Sequence, residues 1–137
     1  MQKSAPVVRA VDVGYGHVKW SEGRDDKGLI IADVFPSQAP LVIEGKILAA
    51  TRSRRDTFVV PVNENHYEVG RQVHMAYGKN QELEQLDDLF PLSDGYTAFL
   101  YGAFNYMLHT LPSGYIDYLM LGLPMTTLKQ HLSLIHI

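Results

Sequence analysis

Cysteine is absent from this chain of 137 residues, so neither a disulfide nor a thiolate-bound metal can be built from it. Long hydrophobic runs are missing too: no stretch approaches the roughly 20 apolar residues that cross a bilayer. At the amino end Arg9 and Asp12 interrupt the apolar core that a signal peptide would need. Charge of one sign is not in excess, since 12 Lys and Arg stand against 15 Asp and Glu, a net −3. Direct nucleic-acid binding through a general basic field is thereby disfavoured. The local run Arg52, Arg54, Arg55 is met at once by Asp56 and has no interleaved aromatic residues, so it reads as a solvated loop. His66 and His74 are too far apart for a one-turn metal pair. Two common phosphate motifs are lacking as well. No G-x-x-x-x-G-K-[ST] occurs, and no third glycine opens a helix after Gly14 and Gly16. What remains is a globular chain with 46% hydrophobic residues, expected to be cytoplasmic and enough for one ordinary domain.

The stretch from Val7 to Trp20, VVRAVDVGYGHVKW, carries the chemistry. An apolar strand ends on Asp12, Gly14-Tyr15-Gly16 reverses the chain, and the alternation of His17, Val18, Lys19 and Trp20 starts a second strand. Glycines without a Cβ, free to take positive φ, let bare peptide N–H groups crowd an anion. Lys19 adds a full positive charge. An aspartate beside the same anion is repelled unless a divalent cation lies between them, so the residues point to a nucleotide phosphate bridged to Asp12 through hydrated magnesium.

Val7 to Val13, His17 to Ser21 and Leu29 to Phe35 read as three antiparallel strands, the last two joined by a polar turn from Glu22 to Gly28. Asp25 and Asp26 in that turn, flanked by Arg24 and Lys27, read as solvated. From about residue 38 to 92 the pattern suggests an inserted subdomain, with short strands at Leu41 to Ala50, Thr57 to Val62 and His66 to Gly70. A helical turn at Gln72 to Tyr77 and a solvated acidic stretch containing Glu82, Glu84, Asp87 and Asp88 follow. Asp94 to Thr110 predicts a helix whose stripe comprises Tyr96, Phe99, Leu100, Ala103, Phe104, Met107, Leu108 and Leu111. Ser93 or Asp94 can cap its start, and Pro112 with Gly114 stops it. A cofactor box of Tyr101, Tyr106 and His109 is less favoured than simple packing. Ile116 to Leu123 predicts a strand buried on both faces, with a ligand-facing loop at Gly122-Leu123-Pro124.

The order of DVGYGHVK (Asp12 to Lys19 within it), FPS (Phe35 to Ser37), YEVG (Tyr67 to Gly70), DGYTAFLYGAF (Asp94 to Phe104) and GLPM (Gly122 to Met125) resembles the N-terminal portion of bacterial and plasmid actin-like ATPases. Within them it resembles the ParM/StbA-like group, and most closely the actin-like protein D of the PRTRC plasmid-associated system. The resemblance implies an α/β fold: an incomplete ribonuclease-H-like domain, with a three-stranded meander, a helix and a parallel strand. It also implies ATP with magnesium held through water. Asp12 would order that water, the N–H groups of Gly14, Tyr15, Gly16, His17 and Val18 would hold the β- and γ-phosphates, and Lys19 would neutralise them. His17 departs from the small polar residue of many relatives, but a neutral imidazole can still donate to phosphate.

The family's second phosphate loop, catalytic residue and adenine-binding glycines come later than any residue here, so the chain is expected to be an N-terminal portion without ATPase activity of its own. Leu132 to Ile137, LSLIHI, resembles translated sequencing adapter and is expected to be a non-native tail, leaving 1–131 as the domain. The resemblance implies filaments of the full-length protein and a DNA-bound adaptor as partners in plasmid segregation. A small-molecule kinase of the same superfamily and a non-enzymatic nucleotide-binding module are the alternatives.

Overall fold

The computed structural model describes residues 4–76 and 90–122. The acidic stretch, the loop and motif residues after Gly122, and the segment 132–137 lie outside the described residues. The first three strands, β1 (Val8–Val13), β2 (His17–Arg24) and β3 (Ile30–Pro36), form the expected antiparallel meander. β2 runs past Ser21 because a bulge at Ser21/Gly23 lets the ladder continue, with Gly23 at φ 109°. The turn that follows is built by Asp25, whose carboxylate accepts from the N–H groups of Lys27 and Leu29 at 2.9 and 2.8 Å.

After β3 the reading fails at one element. Leu41 to Ala50 is not a strand: Leu41 makes a single bridge to Tyr67, then Glu44–Lys46 forms a 3₁₀ turn and α1 (Ile47–Thr51) a short helix. The reason is local. Gly45 breaks the apolar run, and the leucine and two alanines after it are better helix than strand formers. β4 (Phe58–Val62) and β5 (Asn65–Val69) then pair as a separate two-stranded sheet, and Val73–Ala76 is a 3₁₀ turn.

α2 (Asp94–His109) is capped by Ser93, whose Oγ accepts from Tyr96 N at 3.1 Å. Asp94 is not the cap; its carboxylate receives Asn63 Nδ2 and the Tyr67 hydroxyl instead. β6 (Tyr118–Gly122) returns parallel to β1, giving a mixed sheet in the order β3-β2-β1-β6. This is the expected α/β architecture of meander, helix and parallel strand, with the small second sheet inserted between β3 and α2.

The core lies between one face of the main sheet and α2. Val11, Val13, Val18, Trp20 and Phe35 project from the sheet; Tyr96, Phe99, Ala103, Tyr106 and Met107 meet them from the helix. Two helix positions differ from the predicted stripe. Leu108 is 42% exposed, whereas Tyr106 is buried and stacks on Trp20 at 4.8 Å. β6 also differs: Tyr118, Leu119 and Met120 are exposed, because β6 is an edge strand and no described element covers its outer face.

A polar knot fastens the inserted segment to this core. Arg71 lies over the Tyr106 ring at 4.2 Å and bonds Asp33 of β3 through Nε and Nη2. Its Nη1 reaches Asp56 at 2.9 Å. Burial would raise the Asp33 carboxyl, but the bonds from Arg71 and the Val34 N–H outweigh it and hold the group below its ordinary value. The Tyr106 hydroxyl, donating to Asp56, is pushed up to about 12, by burial first. Arg55, read as part of a solvated loop, instead makes a two-bond pair with buried Glu68 at 2.9 and 3.0 Å.

Candidate functional site

The β1–β2 register places Asp12 directly opposite Lys19, between Val11↔Trp20 and Val13↔Val18. Side chains alternate along a strand, so the valines and the tryptophan enter the core while Asp12 and Lys19 stand together on the outer face, both exposed. Among the described residues neither enters an ion pair. A carboxylate and an ammonium group on neighbouring positions of one face are therefore available to a third group.

The connection between the strands is tight. Gly14 N donates to His17 O at 3.0 Å, enclosing Tyr15 and Gly16. Neither Gly14 nor Gly16 takes positive φ, contrary to the sequence expectation. Their glycines serve by size. A Cβ on Gly14 would come within 2.9 Å of the His17 carbonyl oxygen, and one on Gly16 would meet nothing within 4 Å. The space beside the Gly16 backbone is open.

Ser37, just after β3, holds the turn from below. Its N–H donates to Gly16 O at 3.0 Å and its Oγ to Gly14 O at 2.6 Å. In a trans peptide the N–H points opposite to the C=O, so fastening these two carbonyls to Ser37 turns the N–H groups of Tyr15 and His17 the other way. Among the described residues the N–H groups of Tyr15 and Gly16 make no hydrogen bond. Of the remaining expected site residues, His17 is exposed, whereas Val18 is fully buried in the middle strand, in register with Val13 on one side and Phe35 on the other, so the expected use of its N–H, like that of Gly14, which is spent on His17 O, is not supported. Tyr15 leans away, its ring edge-on to Phe90 at 5.6 Å.

Two positions take on a role the residue-level reading did not give them, Gly122 among them as the last residue of β6 where a ligand-facing loop was expected. Ser37 was visible only as part of FPS, without a role. Gly122 pairs with Asp12 across β1–β6, and a Cβ there would lie 2.7 Å from Asp12 Oδ1. The glycine gives the carboxylate its room. Elsewhere, a groove of about 280 Å³ between β4 and α2 is lined by Val59, Pro61, Tyr101, Phe104 and Leu108 among others. It contains no cationic side chain and offers a phosphate little.

The chain matches the family described as actin-like proteins, N-terminal domain, over residues 10–134. Its fold is similar to the crystal structure of apo psk41 ParM protein, with a TM-score of 0.63 at 13% identity over 98% of this chain. It spans 43% of that protein's length. No curated protein matches. With the match covering nearly all of its length and the sheet, helix and hairpin in the expected order, the chain belongs to the actin-like proteins and carries their N-terminal domain.

Proposed function

We propose that the Asp12 to Lys19 hairpin is one half of a magnesium–ATP clamp in an actin-like, filament-forming protein of plasmid segregation, of the kind represented by the actin-like protein D of the PRTRC system. One observation carries the reading: an exposed carboxylate and an exposed lysine, paired across β1 and β2, flank a turn in which the N–H groups of Tyr15 and Gly16 make no hydrogen bond among the described residues.

The donor set fits the group. Tyr15 and Gly16 N–H groups, with that of His17, suit the β- and γ-phosphate oxygens, and Lys19 adds charge. Asp12 suits a water of the magnesium ion. Among the described residues no three of His, Asp and Glu converge to hold a metal, so the ion would draw its ligands from water and phosphate. When bound, magnesium neutralises charge on the phosphates. Asp12 then orders water on one side while Lys19 and the backbone hold phosphate on the other.

Nucleotide-dependent filaments and a DNA-bound adaptor are the partners this reading implies, in the cytoplasm. Among the described residues no helix is long and apolar enough to cross a membrane. A small-molecule kinase remains the second reading. Its discriminating feature would be a substrate loop and a base beside the phosphate, and the hairpin's own side chains offer only Asp12 and His17 for such a role.

The test is a titration of the full chain with ATP, with and without magnesium. Magnesium is expected to tighten binding by the parent and to lose most of that effect in Asp12→Ala. An equal magnesium effect in both proteins would remove Asp12 from the site.

A further inference from the structure

The side chain of His17 has no task in the fold. It is exposed at the first position of β2, and among the described residues it makes no hydrogen bond, ion pair or ring contact. An idle surface histidine says little by itself. Its place in the register says more. His17 and Lys19 alternate with the buried Val18 and Trp20, so both side chains share the outer face of the sheet with Asp12, which pairs with Lys19. Next-but-one residues of a strand stand about 6–7 Å apart, and His17 is the one nearer the turn. Along the chain it lies between the unbonded N–H groups of Tyr15 and Gly16 and the ammonium of Lys19.

Few charged groups face it. On the β1 side its carbonyl receives Gly14 N, and on the β3 side it is in register with Pro36, with Val34 next on the same face. None of these carries charge. On the outer face stand Lys19 and Asp12, one of each sign, and the β6 position beside Asp12 is Gly122. Asp33 of β3 is opposite Trp20, on the other face, and is tied to Arg71. The Tyr15 ring is turned to Phe90. Imidazole is the side chain whose ordinary ionisation falls between about pH 5 and 8, and a phosphate anion beside an imidazole favours its charged form.

We propose that the His17 imidazole meets the phosphate end of the nucleotide as an imidazolium, so that the hairpin takes up a proton with its ligand and holds it more tightly as pH falls from 8 to 6. Lys19 supplies a charge that is always present; His17 supplies one that depends on pH. Binding raises the midpoint at which His17 gives up its proton, so its extra affinity is complete below the midpoint of the free protein and is lost as pH rises through that of the complex. The inference rests on the reading of the hairpin as a phosphate clamp.

The test is the affinity of the full chain for magnesium–ATP at pH 8 and pH 6, beside that of His17→Gln, which keeps the backbone and a neutral donor. The nucleotide's own protonation is common to both proteins and cancels in their ratio. Charged hydrogen bonds are roughly twice as strong as neutral ones, so the parent's advantage over His17→Gln is expected to grow about threefold to tenfold from pH 8 to pH 6. His17→Lys, charged at both values, should show no such growth; the same growth there would overturn the proposal. A flat ratio for the parent, with Lys19→Ala weakened at both values, overturns the proton-linked role and leaves the clamp standing. If Lys19→Ala binds like the parent, the clamp falls and the role of His17 with it. The histidine ring resonances give a second reading, the His17 signal being the one missing from His17→Gln. Its titration midpoint is expected to rise by about half to one pH unit with magnesium–ATP, the same free energy as the change in affinity, and to stay in place with adenosine, which has no phosphate. A midpoint that ignores magnesium–ATP, or that rises equally with adenosine, would overturn the proposal.

Discussion

Lys19→Ala is expected to weaken magnesium–ATP binding tenfold to a hundredfold while leaving the melting temperature of the protein unchanged. Lys19 is exposed and enters no ion pair among the described residues, so the fold loses little with its side chain. The ligand loses much. At an effective dielectric near 20, a cation about 4 Å from a phosphate charge is worth on the order of 4 kcal/mol before desolvation. Hydrogen bonds to charged groups retain about 1.5–3 kcal/mol of net value, and each 1.4 kcal/mol is about tenfold in affinity. Asp12→Ala should act differently, lowering turnover of the full-length protein by about a hundredfold or more, because it orders charge around the reacting phosphate. Filament assembly should fail wherever nucleotide binding fails. Parent-like affinity in Lys19→Ala would mean that the phosphates lie elsewhere.

The largest structural effect is expected at Gly70. This glycine ends the YEVG run at φ 143°, a conformation that side-chain-bearing residues rarely adopt. A Cβ there would lie 2.7 Å from each of Asp56 O, Thr57 Cα and the Tyr106 hydroxyl. Two of those contacts are backbone and cannot swing aside. The third is the hydroxyl through which Arg71 N and Asp56 are tied to α2, at 3.0 and 2.9 Å. Backbone strain and overpacking each cost about 1–3 kcal/mol, so Gly70→Ala should destabilise by roughly 3 kcal/mol or more. For a domain of this size that is a fall of about 10 °C in melting temperature. Gly16→Ala, with nothing within 4 Å of its Cβ, is the control. A Gly70→Ala protein melting with the parent would show that the Asp56 and Tyr106 junction is not tight.

Much of this architecture was legible because the signals were local. Alternation in β1 and β2 put Asp12 and Lys19 on the face opposite Val11, Val13, Val18 and Trp20, and one register followed from a short turn. The 3.6-residue stripe marked α2, and its start was narrowed to a cap at Ser93 or Asp94, of which Ser93 is the one used. What was hidden depended on contacts distant in sequence. Nothing near Arg71 announces Asp33, 38 residues away, or the ring of Tyr106 beneath it. Gly122 gained its meaning only when β6 paired with β1 and faced Asp12. Tyr106 lies seven residues after Phe99 and three after Ala103, so the helical spacing included it although the predicted stripe did not; its stacking on Trp20 is what only the structure supplies. The glycines of the turn were read correctly as places where the backbone is bare. Their reason was mistaken: Gly14 is small because a carbonyl oxygen stands 2.9 Å from where its Cβ would be, not because its φ is positive.

The central claim concerns backbone N–H groups, and backbone amide resonances test it most directly. Addition of magnesium–ATP to isotopically labelled protein is expected to move the amide signals of Tyr15, Gly16 and His17 furthest, with that of Gly122 following through its neighbour Asp12. Signals of Val59, Pro61's neighbours and Leu108, around the groove between β4 and α2, should stay in place. If the largest movements instead fall on that groove while Tyr15, Gly16 and His17 remain unmoved, the hairpin is not the phosphate site and the clamp is contradicted.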